Sequence, residues 1–176
     1  FHLYGGDIND LSLLKSLHPD KNLYFTEQWV GAPGDLFGDL RWHIRNLIIG
    51  ASRNWCKTII EWNLASDENQ NPHTDGGCSS CLGAVTITDN SVQRNTAYYV
   101  IAHASKFVTP GSVRVYSSST SGLPNVSFLT KENKIVTVVL NDSNDKINFN
   151  ILLEGKYMHS SLNAGAVATY IWEMKN

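Results

Sequence analysis

The pattern of apolar residues changes once along this chain, near residue 108. Before that point, short apolar runs alternate with helical patterns; after it, short β-type segments follow one another between turns, without a helical period. Alternating strands and helices predict a parallel sheet of β/α units, whereas consecutive β segments predict an antiparallel sandwich or meander. We therefore predict an α/β domain over residues 1–108 and an all-β domain over residues 109–176.

The α/β part contains enough periodic segments for two or three β/α units. Leucines at helical spacing mark the first helix, and Asp35 and Asn95 are candidate N-caps of the second and third. The predicted helices span residues 9–17, 35–52 and 95–108, and the predicted strands span 23–25, 58–60 and 84–87. A strand-to-strand spacing of about 35 residues is typical of consecutive right-handed units, but two or three units cannot close a barrel.

The second part of the chain consists of short β segments. Turn residues separate them, for example at Glu154-Gly155 and at 163–165. The predicted strands span residues 112–116, 126–129, 135–140, 147–152 and 167–172. Several short strands with turn signals between them favour an antiparallel sandwich.

Composition excludes several kinds of partner. The 176 residues carry a net charge of −2 with the charges scattered, which leaves no basic stripe for nucleic acid and no polybasic patch for a membrane. No apolar stretch approaches the roughly 18 residues of a membrane-spanning helix. Residues 1–7 resemble neither an initiator methionine nor a signal peptide, so we expect a piece of a longer protein whose localisation signals lie elsewhere.

Carboxylates and indoles follow two predicted strands of the parallel sheet. Glu27 and Trp29 come after the first strand, and the segment Glu61-Trp62-Asn63 ends the second. Because the carboxyl ends of parallel strands meet at one edge, these side chains are expected at the same rim. Side chains alternate along a strand, so at most one of Glu61 and Trp62 faces the pocket, and we favour Trp62.

Two interpretations of these carboxylates remain open from the residues alone. An isolated carboxylate at a strand end most often pairs with a lysine or arginine. Glycoside hydrolysis instead needs two carboxyl groups, about 5 to 5.5 Å apart for retention or about 6.5 to 9.5 Å for inversion. Glu61 is either the second carboxylate of such a pair or a structural residue bound to an arginine; the candidates are Arg41, Arg45 and Arg53.

The order and spacing of several short segments resemble one enzyme family. The segments span residues 24–29, 48–55, 61–65, 103–111 and 164–172. Together they are similar to glycoside hydrolase family 30, the glucosylceramidase-like enzymes of clan A, over nearly the whole chain. The resemblance implies the C-terminal part of a (β/α)8 TIM barrel followed by an antiparallel β-sandwich. It also implies hydrolysis of β-glycosides with retention.

The resemblance assigns roles to individual residues. It implies that Glu27, on the seventh barrel strand, is the nucleophile, and that Tyr4, at the end of the sixth, hydrogen-bonds and orients it. It places His2 beside Tyr4 as a substrate-binding residue and Trp62 in the glucose subsite, with Trp29 as a further substrate-binding residue, and it leaves Glu61 structural. The acid/base lies on the fourth strand, outside this chain, so the chain alone is expected to be inactive.

Three functions follow from the resemblance and from the residues. The first is a glucosylceramidase-like β-glucosidase of glycan or sphingolipid metabolism. The second, in the same family, is an endo-β-1,6-glucanase. The sequence does not separate these two, because the long loop of residues 66–80 could shape either a pocket or a cleft. The third is a non-catalytic carbohydrate-binding fragment with Tyr116, Tyr157 and Trp172 as candidate contacts, although the apolar strand pattern around Trp172 favours a core position for it. We expect a β-linked glucoside or glucan as substrate, the missing N-terminal half of the barrel as partner, and no cofactor or metal. The expected location is secreted, periplasmic or at the cell surface.

The pair Cys78 and Cys81 is the remaining motif. With His73 and Cys56 upstream it could bind zinc, but one Cys-x-x-Cys pair without a second pair at finger-like spacing is a weak signal. A local loop disulfide or two free thiols are favoured, and the sequence leaves both open. His43 and His103, on predicted helices, are interpreted as structural residues.

Overall fold

The computed structural model of the chain describes residues 1–118 and 120–174. These residues divide into two compact units, Phe1–Lys106 and the chain from Phe107 onward. The sequence predicts a barrel part over residues 1–108 and a sandwich domain over residues 109–176. These domain boundaries stay a prediction.

The first unit alternates helices with short strands, as predicted. Its α-helices are α1 (Asp10–Leu17), α2 (Leu36–His43) and α3 (Thr96–Ser105), and a π-helix (Ile44–Ala51) continues α2. Its strands are β1 (Leu23–Phe25), β2 (Val30–Gly31), β3 (Cys56–Ile59), β4 (Ala65–Ser66), β5 (Cys81–Leu82), β6 (Val85–Thr88) and β7 (Ser91–Arg94). Strands β1 and β3 pair in parallel, which is the pairing that consecutive β/α units give.

One hydrophobic core cluster of this unit lies between β1 and the π-helix. Phe25, Leu47 and Ala51 are fully buried and pack together, with Ile59 among the partly buried side chains around them. Phe25 therefore faces the helix layer, as expected for an apolar residue of a covered strand.

The second helix lies where it was predicted, whereas the end and the cap of the third helix differ from the prediction. The second helix changes from α to π after His43, which the sequence could not signal because apolar residues at 44, 47, 48 and 51 fit one face of either helix. The third ends at Ser105, and Asn95 does not cap it with its side chain. The Asn95 amide instead donates to the Gly83 carbonyl and the Thr86 hydroxyl, both at 2.8 Å. Asp35 does cap α2, accepting from the Phe37 N–H.

Gly83 allows a close approach of two backbone segments. A Cβ at this position would lie 2.6 Å from the Ser66 nitrogen and 2.7 Å from the Val85 carbonyl oxygen, in the parallel β4–β6 pair. Backbone atoms in a strand pair cannot rotate away, so we expect Gly83→Ala to lower the free energy of unfolding by about 2–3 kcal/mol in urea denaturation. Gly5→Ala is the matched control, since nothing lies within 4 Å of its added Cβ. Equal stability of the two variants would contradict this close approach.

The second unit is antiparallel throughout. Its strands are β8 (Val113–Val115), β9 (Asn125–Leu129), β10 (Lys134–Leu140), β11 (Ile147–Leu153), β12 (Lys156–Leu162) and β13 (Val167–Glu173). Four form a sheet in the order β13-β10-β9-β8, and β11 pairs with β12 in a hairpin. Five of these strands match predicted segments. Strand β12 was missed because its polar residues read as a turn region.

Candidate active site

Three backbone segments meet where β1 ends. A parallel bridge joins His2 to Glu27, and a second joins Trp29 to Trp62. The Trp62 N–H donates to the Gln28 carbonyl at 2.7 Å. The residues predicted for the rim from three separate places in the sequence therefore lie side by side.

Alternation along the chain sorts these side chains into two faces. Glu27 and Trp29 are partly exposed, whereas Gln28 between them is 9% exposed. Trp62 is 50% exposed, whereas the side chain of its neighbour Glu61 is 3% exposed. One face of the segments thus carries Glu27 and both indoles, and the other is buried.

Tyr4 and His2 both contact the carboxylate of Glu27. The Tyr4 hydroxyl donates to Glu27 Oε1 at 2.8 Å, and His2 Nδ1 lies 3.6 Å from the same oxygen. The two rings meet edge to face with their centroids 5.6 Å apart. A donor fixed on one carboxylate oxygen orients the group and leaves the second oxygen to react.

Tyr4 is held in its protonated form. Desolvation, then the hydrogen bond to Glu27, then the charge of that carboxylate, raise the pKa of Tyr4 to about 12. Because the folded-state pKa lies above the unfolded value near 10, this interaction is fully present below pH 10 and is lost as the pH rises through about 12. At neutral pH Tyr4 is therefore a hydrogen-bond donor to Glu27.

The indole of Trp29 lies against the backbone of Gly31. A Cβ on Gly31 would come within 3.2 Å of the Trp29 ring, so the glycine leaves room for the indole. Gly31 pairs with Cys81, and the Ala32 N–H donates to the Ser80 carbonyl at 2.8 Å. The end of the long loop therefore supports the segment that follows Trp29. The apolar pattern did not predict this support; the signal for it in the sequence is the glycine two residues after Trp29.

Glu61 belongs to the buried face. Its Oε1 lies 3.0 Å from Nδ1 of His43, the last residue of α2, and both side chains are almost inaccessible, at 3% and 4%. The sequence had suggested an arginine partner; the structure adds a histidine. Buried against a helix, Glu61 is not at the rim as a second reacting carboxylate.

Cys78 and Cys81 form a disulfide within the long loop. Their sulfurs are joined to each other, so the pair has no thiolates for a zinc ion. Cys56 is a free thiol, and burial raises its pKa to about 11. Among the described residues, no cluster of three or more His, Cys, Asp or Glu side chains has the arrangement of a metal site.

Residues 111–170 match the family model described as the glycosyl hydrolase family 30 beta sandwich domain. Among curated relatives, the endo-1,6-beta-D-glucanase neg1 of Aspergillus fumigatus is 27% identical, with 97% of this chain and 36% of the relative covered. The lysosomal acid glucosylceramidase of Mus musculus is also 27% identical, with 64% of this chain and 22% of the relative covered. The chain spans about a third of the length of the first curated relatives that it matches.

A solved endo-beta1,6-glucanase superposes on 99% of this chain with a TM-score of 0.91 and 30% identity, and the match covers 40% of that chain. Together with the sandwich match, this confirms the predicted fold class: the C-terminal part of a TIM barrel followed by an antiparallel β-sandwich. None of the helices in the described part of the chain has the length and apolar character needed to span a membrane.

Proposed function

We propose that this chain, which matches the C-terminal portion of glycoside hydrolase family 30, supplies the nucleophile of a retaining β-glycosidase. The observation that carries the proposal is the 2.8 Å hydrogen bond from Tyr4 to Glu27 at the ends of the bridged segments. It holds a carboxylate in one orientation on the partly exposed face that also presents Trp29 and Trp62.

The reaction uses Glu27 twice. One carboxylate oxygen attacks the anomeric carbon while a carboxylic acid outside this chain protonates the leaving oxygen, which gives a glycosyl ester on Glu27. Water, deprotonated by that same outside group, then attacks the anomeric carbon and releases the sugar and the free carboxylate. Tyr4 keeps one oxygen of Glu27 in place through both displacements.

The substrate that we favour is a β-1,6-linked glucan. Endo-1,6-β-glucanase relatives cover 80%, 94% and 97% of this chain, and a solved endo-β1,6-glucanase superposes on it with a TM-score of 0.91, whereas the two glucosylceramidase relatives cover 86% and 64%. A glucosylceramidase-like β-glucosidase is the second candidate, since its family shares the same nucleophile chemistry. The end of the 66–80 loop lies beside the Trp29 segment, because β2 pairs with β5. We expect the substrate pockets of a glucanase and of a glucosylceramidase to differ at this loop.

The remaining barrel strands are the partner that this activity needs. One carboxylate of the catalytic pair lies in this chain, so the isolated chain is expected to be inactive. The full-length protein, meaning this chain joined to the strands that complete its barrel, is expected to hydrolyse the substrate. We propose a secreted, periplasmic or cell-surface location.

Covalent labelling tests the proposal. A 2-deoxy-2-fluoro-β-glucoside with an activated leaving group slows the second displacement, so the glycosyl ester accumulates. Mass spectrometry of the labelled full-length protein is expected to find the fluoroglucosyl group on the peptide that contains Glu27. A label on Glu61 or on no residue would overturn the assignment. Comparing β-1,6-glucan with an aryl β-glucoside then separates the two substrate candidates.

Tyr4→Phe is expected to lower kcat by about 10- to 100-fold, because it removes one oriented hydrogen bond and keeps the ring. Steady-state kinetics on an aryl β-glucoside measures the loss, and the rate of fluoroglucosyl labelling should fall in parallel. Tyr24→Phe is the matched control, since Tyr24 is half-exposed on β1 and its side-chain hydroxyl takes part in none of the described hydrogen bonds. An unchanged kcat in Tyr4→Phe would mean that the Tyr4 hydroxyl has no role in the reaction.

A carbohydrate-binding fragment is a distinct candidate, because Tyr116 and Tyr157 of the second unit are 88% and 73% exposed. Isothermal titration of this chain with β-glucan oligosaccharides tests it. Heat that is lost in Tyr116→Ala or Tyr157→Ala, and kept in Trp62→Ala, would favour the binding function.

A further inference from the structure

The proposed reaction makes no use of the buried pair His43 and Glu61. Their side chains are 4% and 3% exposed, and 3.0 Å separates His43 Nδ1 from Glu61 Oε1. In the part of the chain that the structure describes, neither oxygen of Glu61 accepts a hydrogen bond. A carboxylate kept out of water without an aligned hydrogen bond is costly, so its presence at this position calls for a role.

The pair connects the helix layer to the segment that carries Trp62. His43 ends α2 and precedes the π-helix, whose Leu47 and Ala51 form the core with Phe25. Glu61 immediately precedes Trp62 in the chain and faces the opposite way. A contact at Glu61 therefore restrains the backbone on which the exposed indole stands.

The restrained segment is bonded to the one that carries Glu27. The Ile60 N–H donates to the Phe25 carbonyl at 3.0 Å, and the Trp62 N–H donates to the Gln28 carbonyl at 2.7 Å. Glu27 lies between these two acceptors. A shift of Glu61 would be transmitted through these bonds to the spacing between the Trp62 indole and the Glu27 carboxylate.

We propose that His43 and Glu61 form a positioning pair, which sets the place of Trp62 relative to Glu27 and so determines how tightly the glucosyl unit is bound. The inference rests on the proposed function of Glu27. It assigns a role in sugar affinity to two residues that do not touch the sugar.

The test is a split between KM and kcat in the full-length protein. Glu61→Gln keeps the shape of the side chain and replaces its carboxyl group with an amide, and we expect the KM for an aryl β-glucoside to rise about tenfold. A purely structural role would reduce the number of folded molecules, which lowers the apparent kcat and leaves KM unchanged. Titration of active sites with the fluoroglucoside counts the competent molecules. A KM within twofold of wild type would overturn the proposal.

Two further variants, His43→Gln and the double variant His43→Gln with Glu61→Gln, keep the test decisive. The single variant His43→Gln is expected to raise KM as Glu61→Gln does. The double variant places two amides across the same gap, where they can hydrogen-bond, and its KM is expected to return most of the way to the wild-type value. If the single variants do not fold, the KM of the double variant is the deciding measurement. If no variant folds, the pair is required for folding and the positioning role is wrong.

The controls separate this proposal from the function on which it rests. Glu173→Gln removes a carboxylate from an exposed ion pair with Lys134 and is expected to leave KM unchanged. Labelling of wild type at Glu27 tests the nucleophile independently. Wild-type labelling together with an unchanged KM in Glu61→Gln would reject the positioning pair alone, whereas no labelling of wild type would reject the proposed function.

Discussion

Glu27→Gln is expected to lower the kcat of the full-length protein on an aryl β-glucoside by about ten-thousand-fold or more. The amide matches the carboxylate in size, so the Tyr4 hydroxyl still finds an acceptor oxygen 2.8 Å away. The substitution removes the nucleophile itself. Removal of the nucleophile lowers kcat by this factor when the reaction proceeds through a covalent glycosyl ester. Steady-state kinetics, with the folded state checked by circular dichroism, measures the loss.

Chemical rescue makes this prediction specific to a nucleophile. Glu27→Ala opens a space on the face of the sugar opposite the leaving group, and azide can attack the anomeric carbon from there. A retaining enzyme with a β-glucoside is then expected to form an α-glucosyl azide, since a single displacement inverts the configuration. Glu27→Gln activity within tenfold of wild type, or no azide product from Glu27→Ala, would remove Glu27 from the role.

The parts of the site that follow from local geometry could be predicted from the sequence. Glu27 comes two residues after a short apolar strand, and strand alternation already separated the direction of Glu61 from that of Trp62. Tyr4 could not be found this way, because no strand pattern surrounds it. Its segment is aligned with β1 by long-range contacts, namely the bridge at His2 and the hydrogen bond from the Thr26 N–H to the Phe1 carbonyl. The role of Tyr4 was predicted from the family resemblance and not from the periodicity of apolar residues.

The parts that depend on tertiary partners were missed. His43 was placed on a helix correctly, but its contact with Glu61 joins residues 18 positions apart that no local pattern relates. Strand β12 is largely polar, and it becomes a strand because β11 offers it seven paired positions across a tight turn at Glu154-Gly155. Whether such a segment forms a strand depends on its pairing partner, and a single sequence does not show that partner.

Asn141→Ala is expected to destabilise the second unit by about 3–5 kcal/mol. Asn141 is fully buried at the end of β10, and its Nδ2 group lies within 2.7 to 3.0 Å of the carbonyls of Asp145, Leu162 and Asn163. Its Oδ1 accepts from both the N–H and the hydroxyl of Ser143. Alanine would leave several of these polar groups without a partner and would open a cavity, and the two costs add.

Hydrogen exchange followed by mass spectrometry locates this loss in the chain. Peptides from β10 and β13, which pair along seven positions, are expected to exchange much faster in Asn141→Ala, whereas peptides from the π-helix of the first unit keep their protection. Asn150→Ala is the matched control, because that amide is exposed and bonds only to His159 among the described contacts. Asn141→Asp retains the acceptor oxygens but loses the donors to three carbonyls, so its loss should be comparable to that of alanine. Unchanged protection of β10 in both variants would mean that backbone pairing, without the Asn141 side chain, holds this end of the sheet together.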